Sequence, residues 1–436
     1  MQVPFGEWLP DQPDHKQQGA TVATNVYHTA NTYKRFPSLV AYSSNTTSTD
    51  SKGAGSFRDN SNTVYNFVAT RTNIYQLTSG AFTSRKASLT GDHDDFWTFT
   101  QFGEYVIASN GVDQPQYFLM GTSTNFANLS AIATGNPVFR VSGVVRDFLV
   151  VGNITNATNR IQWSGINDIT VWSGKQSDYQ DLPGSGGQVV AITSGEVGYV
   201  FRQNQIIRMD YVGGATVFRL SVISPNRGAV YGRTVCQDNR QIFFYADDGF
   251  YQINVDHIIP IGVKNINRFF DLDLNKAYAD RICAAVDPFN QLAMWLFPST
   301  SNTANTTGIC DKIIIYNYAT QKWSLADASA STIFAQFVGA YTVELMDILS
   351  QNLENINAAL DTDFWSGGQV LLGGIDSDYK AAIFSGTDNE CEVETAEIEP
   401  FPGMRTNITG VRPIVDLSLI HISEPTRLLS IAYAVL

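Results

Sequence analysis

Short apolar segments alternate with polar turns along most of this chain. One unit recurs six times: an apolar strand, a turn rich in Asn, Asp or Gly, and a second strand that ends in aromatic residues. The pattern predicts a β-hairpin for each unit, because short strands separated by turn-forming residues are typical of hairpins. The six units cover residues 63–80, 104–120, 147–165, 197–213, 240–254 and 291–325.

The spacing of these units indicates how they are arranged. Units recur every 39 to 50 residues, measured between six central apolar positions: Phe67, Val106, Val150, Val200, Phe244 and Met294. A period of about 40–50 residues is typical of a propeller blade, whose sheet buries both faces against its neighbours. Nearly continuous apolar strands at 241–245 and 313–316 fit such two-sided burial. The sequence therefore predicts an all-β fold, a β-propeller of about six to seven blades. A β-sandwich pair, which also gives evenly spaced hairpins, is the alternative.

Two turns carry residues that tolerate a positive φ angle, namely Asn110–Gly111 and Asp248–Gly249. Two-residue hairpin loops demand such residues, so we expect tight hairpins at both places.

Segments that break the pattern suggest the domain organisation. Residues 1–50 are rich in Pro and Asn and predict an extended N-terminal arm that lies over the body or a neighbour. Residues 51–325 are predicted to form the blades. Within 326–416, apolar residues at helical spacing predict a helical insertion at 343–360, before a further blade or the start of a second β domain.

The last twenty residues, 417–436, are interpreted as a non-native tail. Residues 417–427 read LSLIHISEPTR, the in-frame translation of a transposase-based sequencing adapter. Three further residues match the length of the adapter's index, and IAYAVL then differs at two positions from the adapter's continuation. We therefore expect Asp416 to be an internal residue of a longer natural protein; a natural amphipathic C-terminal segment is the alternative.

Composition narrows the classes of function. The net charge is −13 and no run of Lys and Arg occurs, which disfavours a nucleic-acid-binding surface. The N-terminus lacks the pattern of a signal peptide, and no apolar run reaches the roughly 18 residues of a membrane span. We expect synthesis in a cytoplasm without membrane insertion. The cysteines are predicted to be buried thiols, since they are far apart: Cys236, Cys283, Cys310 and Cys391.

Candidate chemical motifs favour structural roles. The stretch at 183–190 is rich in Gly but lacks the Lys and Ser/Thr of a P-loop, which predicts a tight turn before a strand. Residues 92–95, Asp-His-Asp-Asp, are of metal-ligand types, but adjacent ligands rarely reach one ion, so a solvated loop is predicted here and at 271–275. A glycosidase needs two carboxylates across a cleft, and no pair stands out among the 41 Asp and Glu residues.

Histidines and tryptophans also favour structural interpretations. The histidines considered as candidates for a catalytic triad are scattered, and we expect surface or satisfied polar positions for His15, His28, His93 and His257. Tryptophans at strand ends are expected to pack in the core, namely Trp163, Trp172, Trp295, Trp323 and Trp365. The sequence predicts that the protein is not an enzyme, with no catalytic, cofactor-binding or metal-binding residues and no cofactor.

Several segments resemble the tail nozzle, or DNA-stabilisation, proteins of short-tailed bacteriophages. They are residues 19–40, 163–187, 246–253, 286–298 and 311–324. The resemblance implies a propeller-containing subunit of the virion tail that forms a homo-oligomeric ring, six-fold in the better-known nozzles. Its implied partners are the portal and adaptor proteins on one side and distal tail proteins on the other. Genomic dsDNA would pass through the ring during ejection without sequence-specific binding, and an acidic wall would repel its phosphates.

Two other functions remain open from the sequence. One is a host-surface propeller that binds or hydrolyses carbohydrate. The other is a WD40-type scaffold, although the paired Gly-His and Trp-Asp residues of that class are absent.

Overall fold

A computed structural model describes residues 5–13, 19–29, 32–214, 216–302, 307–337, 370–386 and 389–395. Of the described residues, 53% are in strands and 6% in helices, which confirms the predicted all-β class. The helix predicted at 343–360 and the tail at 417–436 lie outside the described residues.

Five antiparallel sheets of four strands follow four short N-terminal strands. The short strands are β1 (Ala20–Thr24), β2 (Val26–His28), β3 (Tyr33–Arg35) and β4 (Ser38–Ala41). Sheet A comprises β5 (Gly53–Arg58), β6 (Val64–Ala69), β7 (Ile74–Thr78) and β8 (Ala81–Lys86). Sheet B comprises β9 (Thr98–Phe102), β10 (Tyr105–Ser109), β11 (Gln116–Leu119) and β12 (Ala127–Asn128). Sheet C comprises β13 (Phe139–Val145), β14 (Phe148–Ile154), β15 (Ala157–Trp163) and β16 (Asp178–Asp181). Sheet D comprises β17 (Val189–Ile192), β18 (Val197–Arg202), β19 (Ile206–Tyr211) and β20 (Phe218–Ser224), and sheet E comprises β21 (Cys236–Asp238), β22 (Gln241–Ala246), β23 (Gly249–Asn254) and β24 (His257–Pro260).

A nine-stranded sheet completes the described fold. Its later strands are β25 (Cys283–Asp287), β26 (Leu292–Phe297), β27 (Cys310–Asn317), β28 (Lys322–Phe337), β29 (Val370–Asp376), β30 (Ala381–Gly386) and β31 (Glu392–Thr395). Helical structure is limited, within the described residues, to α1 (Asn267–Asp273) and to 3-10 segments at Leu129–Ala131, Gly232–Thr234 and Lys276–Arg281. No described helix has the length and apolar character needed to cross a membrane.

The long strand β28 divides the nine-stranded sheet into two halves. It pairs with β27 up to Ala330 and with β29 from there on, and the register shifts between Ala330 and Thr332. Sheet F is therefore β25, β26, β27 and the first half of β28. Sheet G is the second half of β28 followed by β29, β30 and β4, where Val40 pairs with Ile383. The fourth strand of the last sheet thus comes from the N-terminal segment.

The N-terminal segment contacts the last sheets elsewhere too. Strand β1 pairs in parallel with β28 at Leu325 and antiparallel with β31. Strands β2 and β3 form a separate hairpin. The side chain of Trp8 is buried, and its indole N–H donates to the Thr21 carbonyl at 3.0 Å.

The predicted hairpins are the second and third strands of sheets A to F. All six central positions named above have no exposed surface and lie on the second strand of their sheet. Rings on neighbouring sheets meet in the gaps: Phe67 lies 5.0 Å from Phe118, and Phe201 lies 5.2 Å from Phe244, between ring centres. Burial on both faces therefore accounts for the continuous apolar strands, since neither face is left to water.

The two expected tight turns differ from each other. Gly249 has a positive φ of 132° and closes a two-residue loop, Asp247–Asp248. The loop after Asn110 is wider, so the expectation of a two-residue hairpin there is wrong. The Asn110 side-chain oxygen accepts hydrogen bonds from the backbone N–H groups of Val112 and Asp113, and this side-chain turn organises the longer loop.

Candidate functional site

A cavity of about 930 Å³ lies where the first strands of the seven sheets meet. We call it the central cavity. Residues from all seven first strands line it, namely β5, β9, β13, β17, β21, β25 and the second half of β28. β5, β9, β13 and β17 contact one another in sequence order, and β17 and β25 both contact the Gly232–Thr234 turn. β21 contacts β25, which contacts β28, and β28 contacts β5. The contacts therefore form a cycle around the cavity.

Glycine allows the strands around the cavity to approach closely. A Cβ atom on Gly53 would lie 2.3 Å from the Trp97 carbonyl oxygen of the next sheet. A Cβ atom on Gly232 would lie 1.9 Å from the Val190 carbonyl oxygen. Both obstacles are backbone atoms, so no side-chain rotation would relieve the clash.

Hydrogen bonds join consecutive sheets around the cavity. The Thr100 hydroxyl of sheet B donates to the Ser142 carbonyl of sheet C at 3.1 Å. The Gln237 side-chain amide of sheet E donates to the Ser194 carbonyl, beyond the end of β17, at 2.8 Å. The Thr332 hydroxyl of sheet G donates to the Ser51 carbonyl, which precedes sheet A, at 3.4 Å. Polar groups at the cavity wall thus link the last sheet to the first.

The lining combines aromatic, amide and charged groups. Phe96, Trp97 and Tyr231 contribute rings, and burial raises the pKa of the Tyr231 hydroxyl. Arg140 is paired with Asp95 at 2.6 Å. Such a lining suits a polar ligand of small or moderate size, because concave sites with a few placed polar groups are typical of small-molecule binding.

A second cavity of about 270 Å³ adjoins the first and shares Phe96 and Arg233 with it. We call it the mouth pocket. It is lined by Asp50, Ser51, Lys52, His93, Phe96, Arg233, Arg281, residues 307–310, Ser331, Ser377 and Tyr379. Several of these residues directly precede the first strands of different sheets, which brings distant parts of the sequence together at one end of the central cavity.

The acidic segment 92–95 is largely exposed, as predicted for a solvated loop, but its side chains also form hydrogen bonds and an ion pair. Asp95 is buried, pairs with Arg140 and accepts a hydrogen bond from the Asp92 backbone at 2.8 Å. His93 Nδ1 lies 2.6 Å from Asp94 Oδ1, and this hydrogen bond lowers the pKa of Asp94. Within the described ranges, no three His, Cys, Asp or Glu side chains are grouped as a metal site would require.

The carboxylates at 271–275 act in two separate ion pairs. Asp271 pairs with Lys276 at 2.8 Å on the surface. Asp273 is buried, which tends to raise its pKa, but the Lys312 ammonium at 2.9 Å holds that pKa below its usual value. The solvated position expected for this segment is therefore wrong for Asp273.

The Gly-rich stretch at 183–190 surrounds the guanidinium of Arg202. This side chain is 1% exposed and donates to the carbonyls of Pro183 at 2.8 Å, Gly184 at 3.3 Å and Gly187 at 2.9 Å. Its Nη1 also donates to Gln205 Oε1 at 2.7 Å. A phosphate cradle presents backbone N–H groups, whereas this loop turns carbonyl oxygens inward to a cation. Sequence reasoning missed Arg202, since nothing beside it in the chain marks it as buried.

The tryptophans that the structure describes are buried as expected. Each indole N–H donates to a backbone carbonyl, at 2.8 to 3.0 Å, in Trp163, Trp172, Trp295 and Trp323. Trp365 and His15 lie outside the described residues. His28 is buried, His93 and His257 are exposed, and burial followed by the charge of Lys322 lowers the pKa of His28.

Three cysteines are buried as expected, and one is not. Burial raises the pKa of Cys310 to about 12 and also raises that of Cys236. Cys391 is exposed, so the expectation for it is wrong. It precedes the short strand β31, in which exposed and half-buried residues alternate.

Comparison with known proteins identifies no family. No protein-family profile matches the chain, and no curated protein matches it. Among solved structures, it is similar to one described as the mitotic checkpoint complex, at 10% identity over 83% of this chain and 99% of that chain, with a TM-score of 0.44. Another is the extracellular domain of the putative hybrid two component system BT4673 from B. thetaiotaomicron, at 9% identity over 80% of this chain and 40% of that chain, with a TM-score of 0.46. A third is apo AztD from Citrobacter koseri, at 13% identity over 63% of this chain and 86% of that chain, with a TM-score of 0.36. With TM-scores below 0.5, none of the three assigns a fold family or a function.

Proposed function

We propose that this chain is a ring-forming structural protein of a phage tail, of the nozzle type, and that it folds as a closed β-propeller of seven blades. The blades are sheets A to G. The observation that carries the proposal is the cycle of contacts around one cavity that all seven first strands line. The resemblance of five segments to nozzle proteins supplies the functional assignment.

The mode of closure supports the propeller. Sheet G takes three strand segments from the C-terminal half and its fourth strand, β4, from the N-terminal segment. Propellers avoid open sheet edges by joining the last blade to the first in this manner. Such a body suits a component that must withstand internal pressure, because every sheet is packed on both faces.

Genomic DNA would pass between subunits and not through the propeller itself. A DNA duplex, whose major groove alone is about 12 Å wide, does not fit a cavity of about 930 Å³. The lumen of a ring of subunits would provide the passage. Its wall would be acidic if it shares the net charge of −13, so phosphates would be repelled and DNA would slide without binding.

Electron microscopy and sedimentation of the purified full chain test this proposal. We expect a closed ring, six-fold if it follows the better-known nozzles, and we expect the chain in purified virions by mass spectrometry. Association with portal and adaptor proteins in the same particles would support its position in the tail. A stable monomer that is absent from virions would contradict the proposal.

A carbohydrate-binding or glycan-hydrolysing propeller is the second candidate. The central cavity favours it, since Trp97 and Tyr231 lie there with the amides of Gln188 and Gln237. Aromatic rings beside amides are suited to stacking against and hydrogen bonding with sugars. Saturable binding to host polysaccharide would favour this function over the first. The Tyr231→Ala variant should lose that binding, and the control Tyr179→Ala, at an exposed edge, should retain it. Release of reducing ends would indicate hydrolysis.

A further inference from the structure

We propose that the mouth pocket binds a phosphate group, either as the free ion or as the end of a phosphate monoester. The proposal does not depend on the role in a phage tail. It rests on the charges, distances and burial of the side chains that line this pocket.

Three cationic side chains converge on the pocket. They are Lys52, Arg233 and Arg281, and Asp50 is the one carboxylate among the described residues of the lining. The lining therefore carries three cations and one carboxylate in a chain whose net charge is −13, and Asp94, beside His93, is a second carboxylate close enough to act on Lys52 and Arg281. A phosphate monoester carries a charge of about −1.5 to −2 near neutral pH, so the net positive charge of this pocket would attract it.

Two of these cations face the same aromatic ring. The Lys52 ammonium lies 5.3 Å from the centre of Phe96, and the Arg233 guanidinium lies 4.4 Å from it. Lys52 is 2% exposed and has Asp50 at 3.0 Å, whereas Arg233 has a neutral partner, the Thr332 hydroxyl, at 3.1 Å. Like charges packed against one ring repel, and an anion bound in the pocket that both line would offset this repulsion.

Arg281 is held in place by neutral groups. Its Nη1 donates to the carbonyls of Thr307 at 2.7 Å and Gly308 at 2.8 Å. Its Nη2 lies 2.7 Å from His93 Nε2, and because Arg only donates, that nitrogen must accept. The His93 proton is then on Nδ1, where it is donated to Asp94. The Nε of Arg281 is buried and has no hydrogen-bond partner among the described residues.

Neither Arg233 nor Arg281 forms a salt bridge within the part of the chain that the structure describes. Guanidinium groups match the oxygen geometry of phosphate, and charge-assisted hydrogen bonds of this kind are strong. Ser377 also lines the pocket, and its hydroxyl can donate to a phosphate oxygen, whereas the hydroxyls of Ser51 and Ser331 donate to the carbonyls of Gly53 and Ile375. A volume of about 270 Å³ limits the occupant to a phosphate with a small substituent.

Isothermal titration of the full chain with inorganic phosphate, with glycerol phosphate and with sodium acetate at matched ionic strength tests the proposal. We expect saturable binding of the first two and none of acetate. Arg233→Gln and Arg281→Gln should each weaken phosphate binding about tenfold or more, since each removes a charge-assisted hydrogen bond. The matched control is Arg160→Gln, because Arg160 is paired with Asp181 at an exposed edge of sheet C.

Thermal unfolding in the presence of phosphate provides a second measurement. A ligand that binds the folded state raises the melting temperature, so at one phosphate concentration the wild type and Arg160→Gln should be stabilised more than the two mouth-pocket variants. If Arg233→Gln does not fold, Arg281→Gln and phosphorus NMR of the wild type decide the question. Tighter binding of glycerol phosphate than of the free ion would identify a monoester as the ligand; equal binding would identify recognition of the phosphate alone. Absence of saturable binding, or equal binding by both variants and the wild type, would overturn the proposal.

Discussion

Replacement of Arg202 by methionine is expected to destabilise the protein strongly. The guanidinium is buried within the loop at 183–187 and donates four hydrogen bonds, three to backbone carbonyls and one to Gln205. Methionine fills much of the same volume but donates nothing. The Arg202→Met variant therefore isolates the loss of the hydrogen bonds from the loss of packing.

The magnitude follows from the acceptors left without donors. A buried acceptor that loses its partner costs about 1–3 kcal/mol. Pro183 and Gly184 are exposed, so water can replace part of the loss at their carbonyls, and the bond to Gly184 is already long at 3.3 Å. Taking the lower value for each of the four bonds gives a loss of about 3–4 kcal/mol in the free energy of unfolding. This is a large part of the roughly 5–15 kcal/mol that stabilises a typical protein.

Urea unfolding followed by tryptophan fluorescence measures the effect. Arg160→Met is the control, because Arg160 also forms a bidentate pair but at an exposed position, and its midpoint should stay close to that of the wild type. A stability of Arg202→Met within about 1 kcal/mol of the wild type would refute the reasoning. Water would then replace the guanidinium as the donor to the loop carbonyls in the variant.

Three further predictions concern other parts of the fold. Under native conditions a thiol reagent should modify Cys391 alone, since the other three cysteines are buried, and all four should react in denaturant; modification of a second native thiol would contradict the burial. Gly232→Ala should lower the free energy of unfolding by about 1–3 kcal/mol in thermal or urea unfolding, because its Cβ would clash with backbone; unchanged stability would show that the strands can separate. The pKa of His28 in the folded state is lowered by burial and by Lys322. As the pH falls below the ordinary value of 6.5, the unfolded state therefore takes up a proton before the folded state does, and the free energy of unfolding should decrease until the pH reaches the lower native pKa. His28→Gln should weaken this dependence in urea midpoints measured on both sides of about pH 6.5; an identical pH profile for the variant would assign the effect to other groups.

The sequence predicted the features that depend on local pattern. Phe67 and Met294 lie at the centres of apolar strands, and the hairpin around each is what periodicity predicts. Features that depend on distant residues could not be predicted in this way. Nothing near Val40 indicates that it pairs with Ile383, and nothing near Arg202 indicates that carbonyl oxygens surround it.

The mouth pocket could not be predicted from the sequence either, because its residues are also distant from one another along the chain. Lys52, Arg233 and Arg281 each appear as isolated basic residues in an acidic chain, and the absence of a Lys or Arg run gave no reason to connect them. They meet because each precedes the first strand of a different sheet. The candidates that the sequence did single out, at 92–95 and 183–190, proved to be occupied by internal ion pairs and hydrogen bonds.

The pairing of β4 with β30 has a consequence for synthesis of the protein. The N-terminal strand leaves the ribosome early, but its partner around Ile383 follows only after more than 300 further residues. At about 5–20 residues per second, β4 waits for tens of seconds while the intervening sheets fold. During that time each nascent chain displays a strand without its partner, and neighbouring chains on one messenger could exchange these strands. Correct folding therefore requires β4 to pair with β30 of its own chain before it meets β30 of another.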